Sequence, residues 1–261
     1  MVSRRLLGRT GLSAGAIGLG TVKLGRNTDV KYPTPFELPS DTEVAALLDA
    51  ALAMGVNLID TAPAYGESER RLAPFLAAHR DEIVLCTKCG EHYKGGASIY
   101  DFSAGAVTAS AESSLRRLGT DRLDILLLHS DGRDLEIMKR ADTLAALNRL
   151  KSQGKVRATG ISAKTAEGIA EAAKHFDVVM APFSRADASL GDALAGARKA
   201  GLAVLAIKGL QSGRLGEDAE SAVAHVLEQP FVDVLVIGTL NPAHLRTAVR
   251  AAERVVASSH K

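Results

Sequence analysis

Three ionisable side chains stand at the ends of three apolar runs. Asp60 closes Asn57-Leu58-Ile59-Asp60, Lys88 closes Ile83-Val84-Leu85-Cys86-Thr87-Lys88, and His129 closes Asp124-Ile125-Leu126-Leu127-Leu128-His129. Tyr65 follows Asp60 in the loop Thr61-Ala62-Pro63-Ala64-Tyr65-Gly66. Burying an unpaired ion is costly, so apolar strands that end in charge mark places where a partner or a substrate offsets that cost. A carboxylate, an ammonium, an imidazole and a phenol together make a set that can hold and pass a proton. A free tyrosine, with a pKa of about 10, is a poor acid at neutral pH, and a nearby ammonium lowers that value by stabilising the phenolate. Taken singly, each residue has an ordinary reading: Asp60 and Lys88 as a structural pair at a rim, Tyr65 as a loop aromatic, His129 as a satisfied histidine. Their joint placement reads as an active-site tetrad.

The elements that must position this set alternate strictly. Eight short apolar runs, near residues 15–20, 57–60, 83–88, 123–129, 156–162, 177–181, 202–207 and 233–237, are each followed by an amphipathic segment, near 41–54, 67–78, 104–118, 136–153, 165–175, 188–200, 218–228 and 242–256. Strand-helix alternation argues a parallel sheet, and eight units in 261 residues argue an α/β chain folded as one (β/α)8 TIM barrel spanning 1–261. A short N-terminal β-hairpin, turned by Gly8-Arg9-Thr10-Gly11, precedes it. Ser40-Asp41-Thr42-Glu43 and Asn241-Pro242 open helices, and Gly154 and Gly201 stop them. In such a barrel the active site forms at the C-terminal ends of the strands. Residues two apart on a strand share a face, which puts Leu58 with Asp60, Cys86 with Lys88, and Leu127 with His129 on the inside. The loop at residues 22–39, rich in Pro, Lys and Asn and containing Tyr32 and Phe36, is long enough to be a lid or binding loop, or else disordered, at the same mouth.

Composition excludes several function classes. With 46% hydrophobic residues the chain can bury a full core, and 32 basic against 30 acidic residues leave no strong field for nucleic acid or an anionic membrane. No apolar run approaches a membrane span, and Met1-Val2-Ser3-Arg4-Arg5 leads into too short an apolar stretch for a signal peptide. The 2 cysteines make no disulfide framework, so a cytoplasmic location is expected. They do form Cys86-Thr87-Lys88-Cys89, but at a strand end and without a matching Cys or His pair, so no metal is expected. Gly90-Glu91-His92-Tyr93 follows and could line the mouth, His92 and Tyr93 reading as plain loop residues.

The chain resembles the aldo-keto reductase family along nearly its whole length. Asp-Thr-Ala-Pro-Ala-Tyr-Gly-Glu-Ser-Glu from Asp60 to Glu69 matches the family's second strand and loop, Thr87-Lys88 its third strand, Leu127-Leu128-His129 its fourth, and Gly160-Ile161-Ser162 its fifth. Leu6-Gly8-Arg9-Thr10-Gly11-Leu12 and Gly18-Leu19-Gly20-Thr21 resemble its hairpin and first strand, and Val236-Ile237-Gly238-Thr239 with Pro242, His244 and Leu245 its cofactor-phosphate segment. The resemblance implies reduction of an aldehyde or ketone with a nicotinamide hydride, NADP being favoured over NAD. Tyr65 would give the proton, Lys88 would lower the Tyr65 pKa, Asp60 would hold Lys88, and His129 would donate a hydrogen bond to the substrate oxygen.

Implied cofactor contacts are Gly20 and Thr21, Ser162 at the carboxamide, Gly238 and Thr239 at the adenosine phosphate, and the start of the last helix, with His244, under the anion. Lys208 and Leu210, at the end of strand seven, and Ser212, Gly213 and Arg214 beyond them are further candidates for the phosphates. Lys208 is expected to share an inward face with Val204 and Ala206; it could equally hold an acidic substrate or pair structurally. Arg246 is a candidate for the 2'-phosphate. The chain departs from the family at Ala163, Met180, Thr247 and Ala248, where polar cofactor contacts are usual. These departures motivate an alternative, a barrel with weak or no cofactor binding acting as a sensor or interaction module. A Schiff-base lyase using Lys88 or Lys208 is a second alternative.

Overall fold

The computed structural model describes residues 4–30, 32–210 and 219–258. Strands β1 (Arg4–Leu6) and β2 (Ser13–Gly15) form an antiparallel hairpin, and β3 (Ile17–Gly20), β4 (Leu58–Asp60) and β5 (Val84–Cys89) follow as parallel strands. Strands β6 (Glu91–Lys94) and β7 (Ala97–Tyr100) make a small antiparallel hairpin. Strands β8 (Leu123–His129), β9 (Val156–Ser162), β10 (Val178–Pro182), β11 (Ala203–Ile207) and β12 (Val234–Ile237) complete a closed barrel in which β12 pairs with β3. The (β/α)8 expectation and its N-terminal hairpin hold.

The helices are α1 (Val22–Gly25), α2 (Asp41–Ala53), α3 (Ser68–His79), α4 (Ala104–Leu118), α5 (Asp134–Met138), α6 (Ala141–Ser152), α7 (Ala166–Ala172), α8 (Gly191–Lys199), α9 (Ala219–Leu227) and α10 (Pro242–Ser258). Local chemistry sets their ends. Ser40 N donates to Glu43 Oε2 at 2.8 Å and Glu43 N returns a bond to Ser40 Oγ at 3.3 Å, a reciprocal cap that starts α2. Three expectations are corrected. The single helix at 136–153 is two, α5 and α6, because Arg140 turns to ψ 97° between them. The loop at 22–39 begins with the helix α1, and His92 and Tyr93, read as plain loop residues, lie on β6 of the β6–β7 hairpin.

Two apolar layers hold the barrel. Leu58, Cys86, Ile125, Leu127, Met180, Leu205 and Val236 fill the inside, and Leu7, Leu12 and Ala14 from the hairpin close its N-terminal end. The plug sits so near β11 that a Cβ at Gly8, whose φ is +47°, would lie 2.4 Å from Ala203 N. Leu19, Ile59, Leu85, Leu128, Val204 and Ala206 face the surrounding helices instead. Cys86 and Cys89, three apart on β5, therefore lie on opposite faces. Strand seven is also out of the expected phase: Ala203, Leu205 and Ile207 look inward, whereas Val204 and Ala206 look out. The run is apolar on both faces, so alternation could not reveal which face was which.

Candidate active site

Adjacent strands carry the charged ends to one rim. β4 ends in Asp60, β5 brings Lys88 beside it, and β8 pairs with β5 and ends in His129. The side chain of Lys88 is only 1% exposed. Its ammonium donates to Asp60 Oδ1 at 2.6 Å, to Thr61 O at 3.0 Å and to the Tyr65 hydroxyl at 3.1 Å, which occupies its three donors. Tyr65 sits on the short 3-10 turn Pro63–Tyr65. Two glycines let that turn press against α1: a Cβ at Gly25 would lie 2.3 Å from Tyr65 O, and one at Gly66 would lie 2.2 Å from Gly25 O. The Tyr65 ring meets His129 edge-on with centroids 6.2 Å apart. The expected convergence of Asp60, Tyr65, Lys88 and His129 is what the strands produce.

The electrostatics differ from expectation in one respect. Burial works against the Lys88 charge, but Asp60 and Tyr65 outweigh it and hold the ammonium above the ordinary lysine value. The Tyr65 phenol was expected to be lowered by Lys88. It is raised, because burial dominates, with Asp60 and Glu91 opposing the ammonium. In this state Tyr65 is a protonated donor beside a fixed positive charge.

A glutamate completes the rim. Glu91, at the start of β6, is buried, and its Oε1 accepts from Ser98 Oγ at 2.6 Å and from the Tyr100 hydroxyl at 3.2 Å. Its Oε2 stands 2.5 Å from His129 Nδ1, off the direction in which the ring N–H would point. The sequence signal was the Gly95-Gly96 pair, which turns a hairpin and folds Glu91 over the end of β8.

A catalytic-looking rim can arise on many barrels, so relatives decide the lineage. The model of the aldo/keto reductase family matches residues 16–216. The chain belongs to the aldo-keto reductase family. It is similar to an L-galactose dehydrogenase of Arabidopsis thaliana, 35% identical over 170 residues that make up 62% of this chain and 48% of that protein. It is also similar to an NADH-specific methylglyoxal reductase of Escherichia coli, 31% identical over 225 residues, 80% of this chain and 68% of that protein. The match thus spans about half to two thirds of the length of these curated relatives. A crystal structure of an aldo-keto reductase from Pseudomonas aeruginosa superposes with a TM-score of 0.89 at 39% identity, covering 97% of this chain and 96% of that one.

For an aldo-keto reductase, the residues around the mouth divide sharply. Gly20 and Gly238 face each other across the β3–β12 seam: a Cβ at Gly20 would lie 3.8 Å from Gly238 Cα. A Cβ at Gly238 would lie 2.6 Å from the Tyr32 hydroxyl, so Tyr32 stands over Gly238. Lys23 stacks on Tyr32 at 4.0 Å and on Phe36 at 4.9 Å. Arg26 lies over the Tyr93 ring at 3.4 Å, and Tyr93 donates to Asp29, which ties this loop to the β6–β7 hairpin. Ser162 pairs with His129 across the β8–β9 seam and is buried at the rim.

Other candidates are engaged elsewhere. The Thr21 hydroxyl donates to Asp60 O at 2.9 Å and accepts from Ser68 Oγ at 2.7 Å, so it braces β3 against β4. Thr239 Oγ1 accepts from Asn241 N at 3.0 Å, and Asn241 Oδ1 caps Ala243 N at 2.9 Å, using amides at the start of α10 that were expected to meet an anion. His244 and Arg246 are exposed on α10. Leu210 packs against the core. Lys208 does not share an inward face with Val204 and Ala206: those two point at the helices, and Lys208 itself is exposed with φ +62° just beyond β11. Ser212, Gly213 and Arg214 lie outside the described residues. Met180 is an apolar filler of the inner layer, Ala163 N donates to Met180 O at 2.8 Å, and Thr247 Oγ1 donates to Ala243 O at 3.1 Å within its own helix.

Proposed function

We propose that this aldo-keto reductase, acting as a single barrel domain, reduces a small aldehyde or ketone, with Tyr65 as the proton donor. The observation that carries the reading is the Tyr65 hydroxyl 3.1 Å from an ammonium that Asp60 holds in place at 2.6 Å. Gly20 and Gly238 carry no side chain of their own at the β3–β12 seam, and with the Tyr32 hydroxyl moved off Gly238 a dinucleotide could lie there, which fits a nicotinamide cofactor. A bound reduced nicotinamide supplies the hydride to the carbonyl carbon. Tyr65 then gives its proton to the oxygen that gains charge, and Lys88 stabilises the phenolate left behind. When its ring carries the proton to give, His129 donates to the same oxygen and orients it. Cys86 and the apolar lining below Asp60 keep water from the base of the site.

NADP is favoured over NAD through the family resemblance, with Arg246 or His244, each exposed near the start of α10, as the candidate for a 2'-phosphate. Among the described residues no helix is long and apolar enough to cross a membrane, and Cys86 and Cys89 are free thiols; both fit the proposed cytoplasmic location. Loss of NADPH absorbance on addition of carbonyl compounds tests the reading. Turnover abolished in Tyr65→Phe supports it, and full turnover in that variant sinks the assigned donor.

A second reading, a barrel with little cofactor affinity, is favoured by Met180, Ala163 and Ala248, which bring no polar side-chain group, and by Thr247, whose hydroxyl donates within its own helix. Fluorescence titration with NADPH and NADH separates the two. The Schiff-base reading is disfavoured at Lys88, since an amine kept charged and bound by three acceptors is a poor nucleophile.

A further inference from the structure

We infer that Glu91 is a positioning residue that holds a proton on Nδ1 of His129, leaving Nε2 to meet the substrate oxygen as an acceptor while the ring is neutral and as a donor only in the imidazolium. The inference rests on the reductase reading of the rim for its consequence, though not for its geometry.

The separation of the two side chains favours one tautomer. Glu91 Oε2 lies 2.5 Å from His129 Nδ1. A bare Nδ1 would set its lone pair beside a carboxylate at that separation, whereas an N–H there, though it points off the line to Oε2, puts positive charge beside the anion. Glu91 cannot swing away easily, because Ser98 and Tyr100 both hold its other oxygen and β6–β7 fixes all three. In a neutral imidazole only one nitrogen carries a proton, so fixing it on Nδ1 bares Nε2. A bare nitrogen repels a carbonyl oxygen and accepts from an alcohol hydroxyl.

The direction of catalysis then follows the charge on the ring. The groups that face His129 are Glu91 from β6, Lys88 from β5, Asp60 from β4 and Tyr65 from the turn after it. Burial lowers the proton affinity of the ring and Lys88 adds to that, while Glu91 and Asp60 raise it, and the balance falls below the ordinary histidine value. Near neutrality the ring therefore suits the alcohol, and acid converts it to the donor that a carbonyl needs. Carbonyl reduction rises as pH falls through this titration, and alcohol oxidation rises in the other sense.

Imidazole nitrogen-15 spectra of the full chain, labelled at histidine and assigned against His129→Gln, test the inference without turnover. The expected neutral form of His129 is the Nδ1–H tautomer. In Glu91→Gln the titration midpoint should fall by about one pH unit or more, and the Nε2–H tautomer should become populated. Glu91→Asp keeps the charge but withdraws it by one methylene, so it should give a smaller fall and remains informative if the amide variant does not fold. A wild-type ring in the Nε2–H form, or an unmoved midpoint in the variants, overturns the proposal. An enzyme that turns over no carbonyl or alcohol while the spectra come out as expected would instead sink the reductase reading and leave the pair intact.

Discussion

Lys88 is bound to Asp60 more tightly than to Tyr65, at 2.6 Å against 3.1 Å, although the phenol is the group it would serve in proton transfer. The carboxylate fixes the ammonium and the phenol shares what is left. Burial is what raises the Tyr65 pKa above its ordinary value; Lys88 pulls the other way, and the Asp60 carboxylate opposes that pull. Tyr65 is thereby kept as a proton donor, and the phenolate becomes favourable only when the substrate oxygen takes the proton.

Replacing the donor tests this most directly. Tyr65→Phe should reduce kcat by about 100-fold or more, the usual range for a positioned general acid. Cofactor affinity, read by fluorescence titration, should stay within a few fold of wild type, because neither Gly20 nor Gly238 is touched.

Breaking the buried pair should show in stability before activity. Asp60→Asn leaves the Lys88 ammonium buried without its anion, which should cost about 3–5 kcal/mol in urea unfolding. Lys88→Met with Asp60→Asn together should recover part of the loss, since no charge is then left buried without a partner.

Tyr32 rests where the proposed phosphate path crosses Gly238. Moving it gives up the stacking of Lys23 at 4.0 Å and the edge contact with Phe36 at 5.6 Å, together about 1–2 kcal/mol. Tyr32→Ala should tighten the NADPH Kd by roughly 5- to 30-fold. A weaker Kd in that variant would show that the ring covers bound cofactor instead of competing with it.

Acid should expose Glu91. Burial pushes its carboxyl up, but His129, Ser98 and Tyr100 prevail and hold it at about 2, from an ordinary 4.5. A group depressed in the folded state stabilises above its unfolded pKa, and that contribution fades as pH falls through the folded value. About 3 kcal/mol should be lost between roughly pH 4.5 and 2 on this account. Unfolding free energy measured across that window should vary less steeply in Glu91→Gln.

Much of the site was legible in advance because its bearers are parallel strands. Asp60, Lys88 and His129 each end an apolar run, and neighbouring parallel strands in register deliver their ends to one place. Tyr65 was legible from its spacing to Asp60. Glu91 was expected only as part of a segment that could line the mouth; its pairing with His129 was hidden, because it comes through a hairpin whose short strands carry polar residues on both faces, Glu91-His92-Tyr93-Lys94, and give no core-facing stripe. The inward face of β11 was hidden for the opposite reason, a run apolar at every position from Ala203 to Ile207. The covering role of Tyr32 depends on contacts between loops, which periodicity does not encode.

The separation of Cys86 and Cys89 by the thickness of the sheet has a chemical corollary. One thiol looks into the interior beneath Lys88 and the other into the helical jacket, so oxidants cannot staple the two into a ring. The strand that carries the ammonium is thus spared the crosslink that a Cys-x-x-Cys spacing invites, and thiol-specific oxidants such as diamide should leave its register unaltered.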